Sequence, residues 1–136
     1  MRWINLLLLA AVATMLASVP AAAQVMGVYT LTHLEGRALP APSPDENNVT
    51  VHAATILFEE NGGYTFALRT SMADPTQIEH RQTTGRYRVE GDTLFLQMED
   101  GSDPIPLAYT LEGGQLTLRV PAGYAYTFQR NGENLE

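Results

Sequence analysis

The sequence predicts an all-β protein: an eight-stranded antiparallel up-and-down β-barrel that follows a cleavable signal-peptide helix. Short segments in which apolar and polar residues alternate are separated by turns rich in Gly, Asn and Pro, which is typical of antiparallel strands. One strand–turn–strand unit occurs twice, at residues 87–101 and 109–123. After the N-terminal region no segment has the period of an amphipathic helix. Closing the eight strands into a barrel removes both sheet edges, so a barrel is favoured over an open sheet.

The N-terminus has the pattern of a secretory signal peptide. Arg2 precedes an apolar run over residues 3–19, and Ala21 and Ala23 form an A-x-A cleavage site. We expect cleavage before Gln24, which leaves residues 1–23 as the signal peptide and 24–136 as one barrel domain of an exported (periplasmic or secreted) protein. The alternative is a membrane anchor, but the run is marginal for the roughly 20 apolar residues that a bilayer core requires. Membrane contact is therefore expected only through an uncleaved signal peptide.

The composition excludes several classes of partner and cofactor. The chain has no cysteine, so the domain has neither a disulfide framework nor a thiolate zinc site. Without Arg2 the eight basic residues become seven, against fifteen Asp and Glu, which gives a formal charge of −8. Such a surface repels phosphate backbones and anionic lipids, so we expect no nucleic-acid partner.

The first three strands are predicted from their β-branched and aromatic content, at residues 26–34, 51–59 and 64–72. The first connection is a long one with three prolines, which favour an exposed loop. Between the second and third strands, a three-residue loop would place the large apolar side chains on one face, whereas a two-residue turn would divide them between both faces. We therefore predict the three-residue loop, with two register pairs: Phe58 with Tyr64, and Ile56 with Phe66.

The other five strands follow in a simple meander. The fourth strand spans residues 78–90, and the last covers 124–130. Each copy of the repeated unit contains a glycine turn, at 91–92 and at 113–114. Both turns bring large apolar residues to one face, as a half-buried antiparallel sheet requires. The predicted pairs are Val89 with Leu94, and Leu111 with Leu116.

The lengths of the connections predict a closed floor and a loop-rich mouth. In an up-and-down barrel of eight strands, the first strand begins and the last strand ends at the same pole. That pole, the floor, also holds the tight turns at 61–62, 91–92 and 113–114. The opposite pole, where a small ligand would enter, receives the longer connections: 35–48, 73–77, 100–104 and 121–123.

Short motifs at the two ends of the domain resemble those of lipocalin-like proteins. Gly27-Val28-Tyr29 opens the first strand where these families carry G-x-W, and Arg130 follows Phe128 at the end of the last strand. The chain thus resembles the small bacterial lipocalin-like domains of the calycin group. The resemblance implies that Gly27, Tyr29 and Arg130 form a structural floor, with the guanidinium stacked across the tyrosine ring.

Polar side chains are predicted inside the barrel near the mouth. Alternation along the strands directs four of them inward: His33, His52, Glu79 and Arg81. In the simplest interpretation these four side chains form a hydrogen-bonded rim that is partly exposed to water. A metal site at His33 and His52 is a second interpretation, although no H-x-H or H-E-x-x-H spacing supports it, and no metal or other cofactor is predicted.

The third interpretation of this polar group is a ligand anchor. The guanidinium of Arg81 would hold a carboxylate, while the interior aromatic and leucine side chains would contact an apolar tail. The candidate ligand-binding residues are then His33, His52, Phe66, Arg81 and Tyr87.

The sequence does not predict an enzyme. It has no cysteine nucleophile, and its serines after residue 24 have no G-x-S-x-G context. We therefore expect a monomeric barrel that binds a small hydrophobic or amphipathic molecule at the mouth. The alternative is a packed-core envelope protein-interaction or inhibitor module that has no ligand cavity and acts through its proline-rich loop. An open void of several hundred Å3 would favour the carrier.

Overall fold

A computed structural model describes residues 21–74 and 76–131 of the chain. The predicted signal peptide lies, apart from its last three residues, outside the described residues. Within the described part of the chain no helix is long and apolar enough to span a membrane. The elements are one short helix, α1 (Ala21–Val25), and ten strands: β1 (Gly27–Leu34), β2 (Arg37–Ala38), β3 (Ala41–Pro42), β4 (Thr50–Phe58), β5 (Gly63–Ser71), β6 (Ile78–Glu90), β7 (Thr93–Met98), β8 (Ile105–Glu112), β9 (Gln115–Arg119) and β10 (Ala125–Arg130).

Eight of these strands form a closed antiparallel barrel, which confirms the predicted fold. Consecutive strands from β4 to β10 pair along the chain, and β1 pairs with both β10 and β4. At the closure, Tyr29 is the register partner of Arg130 on one side and of Ile56 on the other. The two-residue strands β2 and β3 lie in the long first connection and pair with β1 and β4.

The predicted hairpin registers are also confirmed. Each places the apolar residues of both strands on the interior face, so a shift by one residue would expose them all. The register partners are Phe58 and Tyr64, Ile56 and Phe66, Val89 and Leu94, and Leu111 and Leu116.

Two β-bulges shift the alternation near the mouth, and the inward orientation predicted for His33 and His52 is wrong. In β1 the register shifts between Leu31 and His33, and in β4 it shifts between Val51 and Ala53. A bulge adds one residue to one strand, so side chains beyond it change face. As a result Leu34 is buried while His33 is exposed, and Val51 takes the interior position next to His52.

Strand β6 extends well beyond its neighbour β7. It has 13 residues and β7 has 6, and residues 85–90 of β6 pair with β7. Among the described residues, the preceding segment 78–84 forms its ladder with β5 alone. The boundary between these two parts lies at Gly85, which is buried in the barrel wall.

The floor is closed by a tyrosine, an arginine and the helix. Tyr29 is fully buried, and the guanidinium carbon of Arg130 lies 5.1 Å from the centre of its ring. The Tyr29 hydroxyl donates a hydrogen bond to the carbonyl oxygen of Val25 (2.9 Å) and accepts from Arg130 Nε (3.2 Å) and Nη2 (2.5 Å). Arg130 Nη2 also donates to the Gln24 carbonyl oxygen at 2.5 Å. These contacts hold α1 across the end of the barrel.

Aromatic rings fill the space immediately above the floor. The ring centres of Tyr29 and Phe58 are 6.0 Å apart, and those of Phe58 and Tyr87 are 4.9 Å apart, both in edge-on arrangements. The Tyr87 hydroxyl donates a hydrogen bond to the carbonyl oxygen of Glu59 at 3.0 Å. The lower half of the barrel is thus a packed core.

Candidate functional site

The upper half of the barrel contains an apolar cavity of about 220 Å3. It extends to the mouth ends of β8 and β9, where Ile105 is 36% exposed. Nearly all of its walls are apolar side chains. The lining residues are Ile56, Tyr64, Phe66, Thr83, Leu96, Met98, Ile105, Leu107, Leu118, Val120, Tyr126 and Phe128.

Small residues of β6 leave this space open. Thr83 and Gly85 occupy successive interior positions of β6, opposite Phe66 and Tyr64 of β5. Gly85 contributes no side chain and Thr83 only a short one, and β7 ends at Met98, beside Gly85. Because the wall contributes little volume here, the facing side chains do not fill the interior.

Two tyrosines lie between the cavity and the loop above it. Tyr126 lines the cavity, and its ring centre is 5.9 Å from that of Tyr124. Burial and the nearby carboxylate of Asp45 raise the pKa of Tyr124, so Asp45 lies close to it. Burial raises the pKa of Tyr126 most, and the charges of Tyr124, Asp45 and Glu46 raise it further. Both acidic side chains therefore lie close enough to the cavity to affect its electrostatic potential.

The raised pKa of Tyr126 predicts a loss of stability at alkaline pH. The pKa lies above 10.0 in the folded protein, so the neutral phenol stabilises the fold fully below about pH 10. Above that pH the unfolded chain loses the proton first, and the free energy of unfolding falls. We expect urea unfolding between pH 9 and pH 11 to show a steeper fall for the wild type than for Tyr126→Phe. Equal slopes for the two proteins would contradict this assignment.

The loop that supplies Asp45, residues 43–49, lies over the mouth. Its base is fixed by a hydrogen bond from Ser43 N to Val49 O (2.8 Å) and by burial of Val49. The Ser43 hydroxyl holds Asp45 through a 2.7 Å hydrogen bond to Oδ1. On the other side of the mouth, Glu46 accepts a hydrogen bond from Arg81 of β6 at 3.0 Å. The loop thus contacts both β6 and the turn that precedes β10.

The guanidinium of Arg81 is engaged by two carboxylates. Arg81 lies on the inward row of β6 beside Leu68, but at the rim, where its side chain is 41% exposed. It forms ion pairs with Glu46 at 3.0 Å and Glu79 at 3.6 Å. Exposed pairs of this kind contribute little to stability, because water and salt screen them. Their main consequence is that the positive charge at the rim is neutralised locally.

The five candidate ligand-binding residues lie in different parts of the molecule. Phe66 lines the cavity, whereas Tyr87 belongs to the packed layer above the floor. Arg81 is at the rim. His33 is exposed on the outer surface, and His52 is half-buried outside the cavity. The structure does not bring them together as one group.

Each of the two histidines has a hydroxyl neighbour. His33 Nδ1 lies 3.0 Å from Thr32 Oγ1, and His52 Nε2 lies 2.7 Å from Ser71 Oγ. Ser71 is buried, with 1% of its surface exposed, so no substrate can reach its hydroxyl. In the described part of the chain, no three His, Asp or Glu side chains are grouped so that they could hold a metal ion.

The ligand-binding residues predicted from the sequence do not include Tyr126 or the acidic residues of the loop. Tyr126 alternates with Phe128 along β10, so strand parity predicts it inside the barrel, but only as part of an aromatic filling. Asp45 and Glu46 follow a proline in an irregular loop, where no period indicates direction.

A scan against protein-family models finds no match to this sequence, and a search of curated proteins finds none.

Proposed function

We propose that the protein is an exported, monomeric, lipocalin-like barrel that binds one small hydrophobic or amphipathic molecule rather than catalysing a reaction. The observation that carries this proposal is the apolar cavity of about 220 Å3 beneath the mouth. A dry cavity of about 150 Å3 is enough for a benzene molecule. The cavity therefore suits a single ring or a short alkyl chain.

The floor supports the lipocalin-like part of the proposal. The Arg130 guanidinium lies across the ring of Tyr29, as the resemblance to that family implies. This contact closes one pole, so a ligand would enter from the loop-rich pole. The signal-peptide pattern at residues 1–23 supports export.

A second candidate function is that of a packed module that binds other proteins of the envelope or inhibits them. The small volume of the cavity favours this alternative, because about 220 Å3 is below the roughly 300–1,000 Å3 of most ligand pockets. The packed aromatic layer at Phe58 and Tyr87 also resembles a filled core. The two functions differ in whether occupying the cavity matters.

Filling the cavity tests the proposed function. Thr83→Phe places a ring in the cavity from the wall of β6, and we expect it to reduce binding of a fluorescent apolar probe by about tenfold or more, since a good part of the buried contact area is lost. The measurement is a fluorescence titration of each purified protein, combined with thermal shift on addition of single-ring and short-chain compounds.

Thr84→Phe is the matched control. Thr84 is the next residue of the same strand and faces the outer surface, so the same substitution leaves the cavity unchanged. Equal probe binding by both variants and the wild type, or no binding of any apolar compound to the wild type, would reject the carrier and favour the packed module.

A further inference from the structure

The loops at the mouth pole are acidic. Residues 35–49, 72–77 and 120–124 contain one arginine, Arg37, and four carboxylate side chains, those of Glu35, Asp45, Glu46 and Asp74. Two more carboxylates lie near Tyr64 of the cavity wall, because burial raises the pKa of Tyr64 most and the charges of Asp100 and Glu99 raise it further. The surroundings of the cavity therefore attract cations and repel anions.

Arg81, the basic side chain beside the loop over the mouth, does not compensate for this negative charge. Arg81 has Glu46 at 3.0 Å and Glu79 at 3.6 Å, so two negative charges surround one positive charge. A ligand carboxylate would have to displace Glu46 from the guanidinium, and Glu46 would then remain beside it as a like charge. The rim is consequently unfavourable for an acid head group.

The roof of the cavity offers a suitable place for a cation. Tyr126 lines the cavity, the ring centre of Tyr124 is 5.9 Å from that of Tyr126, and the carboxylate of Asp45 lies near Tyr124. Tyrosine rings and a carboxylate are groups that attract an ammonium ion. Below them the walls are apolar.

Resting on the proposed binding function, we propose that the cavity selects apolar molecules that carry a positively charged amine, and discriminates against carboxylic acids. The alkyl or aryl part occupies the cavity, and the ammonium group lies under residues 43–49 with Asp45 and Glu46 as counter-ions. The site is thus selective for the charge of the head group.

Three ligands with one chain length test this selectivity: hexylamine, 1-hexanol and hexanoate. At pH 7 the amine is protonated and the acid is ionised. We expect hexylamine to displace a fluorescent apolar probe at a roughly tenfold lower concentration than hexanoate, with hexanol between them, because two nearby carboxylates act on the head group. The difference should shrink at high salt, since the charges are exposed.

Variants assign the selectivity to the loop. Asp45→Asn should weaken binding of hexylamine while leaving hexanol unchanged. Glu46→Gln should do the same and, because it releases Arg81, should also strengthen binding of hexanoate. Asp92→Asn is the control, since Asp92 lies in a tight turn between β6 and β7 at the floor pole.

The outcomes separate the two proposals. If none of the three compounds binds, the proposed function fails and this inference fails with it. If hexanol binds while hexanoate binds as tightly as hexylamine or tighter, the carrier function stands and the charge selectivity is wrong. Selectivity that persists in the Asp45→Asn, Glu46→Gln double variant would also overturn the assignment to this loop.

Discussion

Gly85→Ala is expected to destabilise the barrel by about 3 kcal/mol, the upper end of the usual cost of overpacking. A Cβ atom at Gly85 would lie 2.0 Å from the carbonyl oxygen of Gln97 and 2.9 Å from a ring carbon of Tyr64. The oxygen belongs to the backbone of β7, so relief requires β6 and β7 to separate. Because Gly85 pairs with Met98, which lines the cavity, their separation would disrupt the wall next to the cavity.

The measurement for Gly85→Ala is urea unfolding followed by far-ultraviolet circular dichroism. Gly63→Ala is the matched control, since an added Cβ there meets the flexible side chain of Asn61 at 3.1 Å and has the Gly85 carbonyl oxygen at an ordinary 3.7 Å. We expect a change of about 1 kcal/mol or less for the control. Equal destabilisation by the two variants would show that the close contact between Gly85 and the backbone of β7 has no special effect on stability.

Tyr29→Phe is expected to lower the free energy of unfolding by about 2 kcal/mol. The substitution keeps the ring and its packing against Phe58 but removes the hydroxyl, which donates to Val25 O and accepts from Arg130. The carbonyl oxygen of buried Val25 and the half-buried guanidinium of Arg130 then lose this partner. The cost of unsatisfied buried groups is larger than the net gain of an ordinary hydrogen bond.

Tyr109→Phe is the control for the floor. Its hydroxyl also donates to a backbone carbonyl oxygen, that of Gly91 at 3.3 Å, but the bond is exposed. We expect a change of about 0.5 kcal/mol or less from its loss. Chemical denaturation of both variants measures the difference. If the two variants lost the same stability, the floor contacts would contribute nothing specific.

The barrel could be predicted because, along most strands, the alternation of apolar residues and the turn residues indicate the same register. The Phe58–Tyr64 pairing follows from one requirement, that large apolar residues share a face, and the glycine turns allow it. The bulge in β1 was not predictable in the same way. Thr32 and His33 are both polar, so the alternation does not mark where the extra residue stands, and the burial of Leu34 beyond the bulge does not follow from regular parity.

The site was predicted less well than the fold because it depends on groups from irregular segments. Phe66 was identified since parity along β5 is regular, and it lines the cavity. Arg81 is on the inward row, but its partner Glu46 comes from a loop whose path is set by turns and contacts with distant strands. The charge environment of the mouth therefore became visible only with the three-dimensional arrangement.

The extension of β6 past β7 leaves a risk of self-association. In the described chain, residues 78–84 of β6 form a ladder with β5 but not with β7. The backbone groups on the side away from β5 can pair with a strand from another molecule. The central residues of this segment, Glu79, His80, Arg81 and Gln82, are all exposed and polar. Charged side chains on an open strand oppose intermolecular pairing. These four residues border the entrance to the cavity. They therefore also protect the molecule against aggregation through residues 78–84, which in the described chain have a ladder on one side.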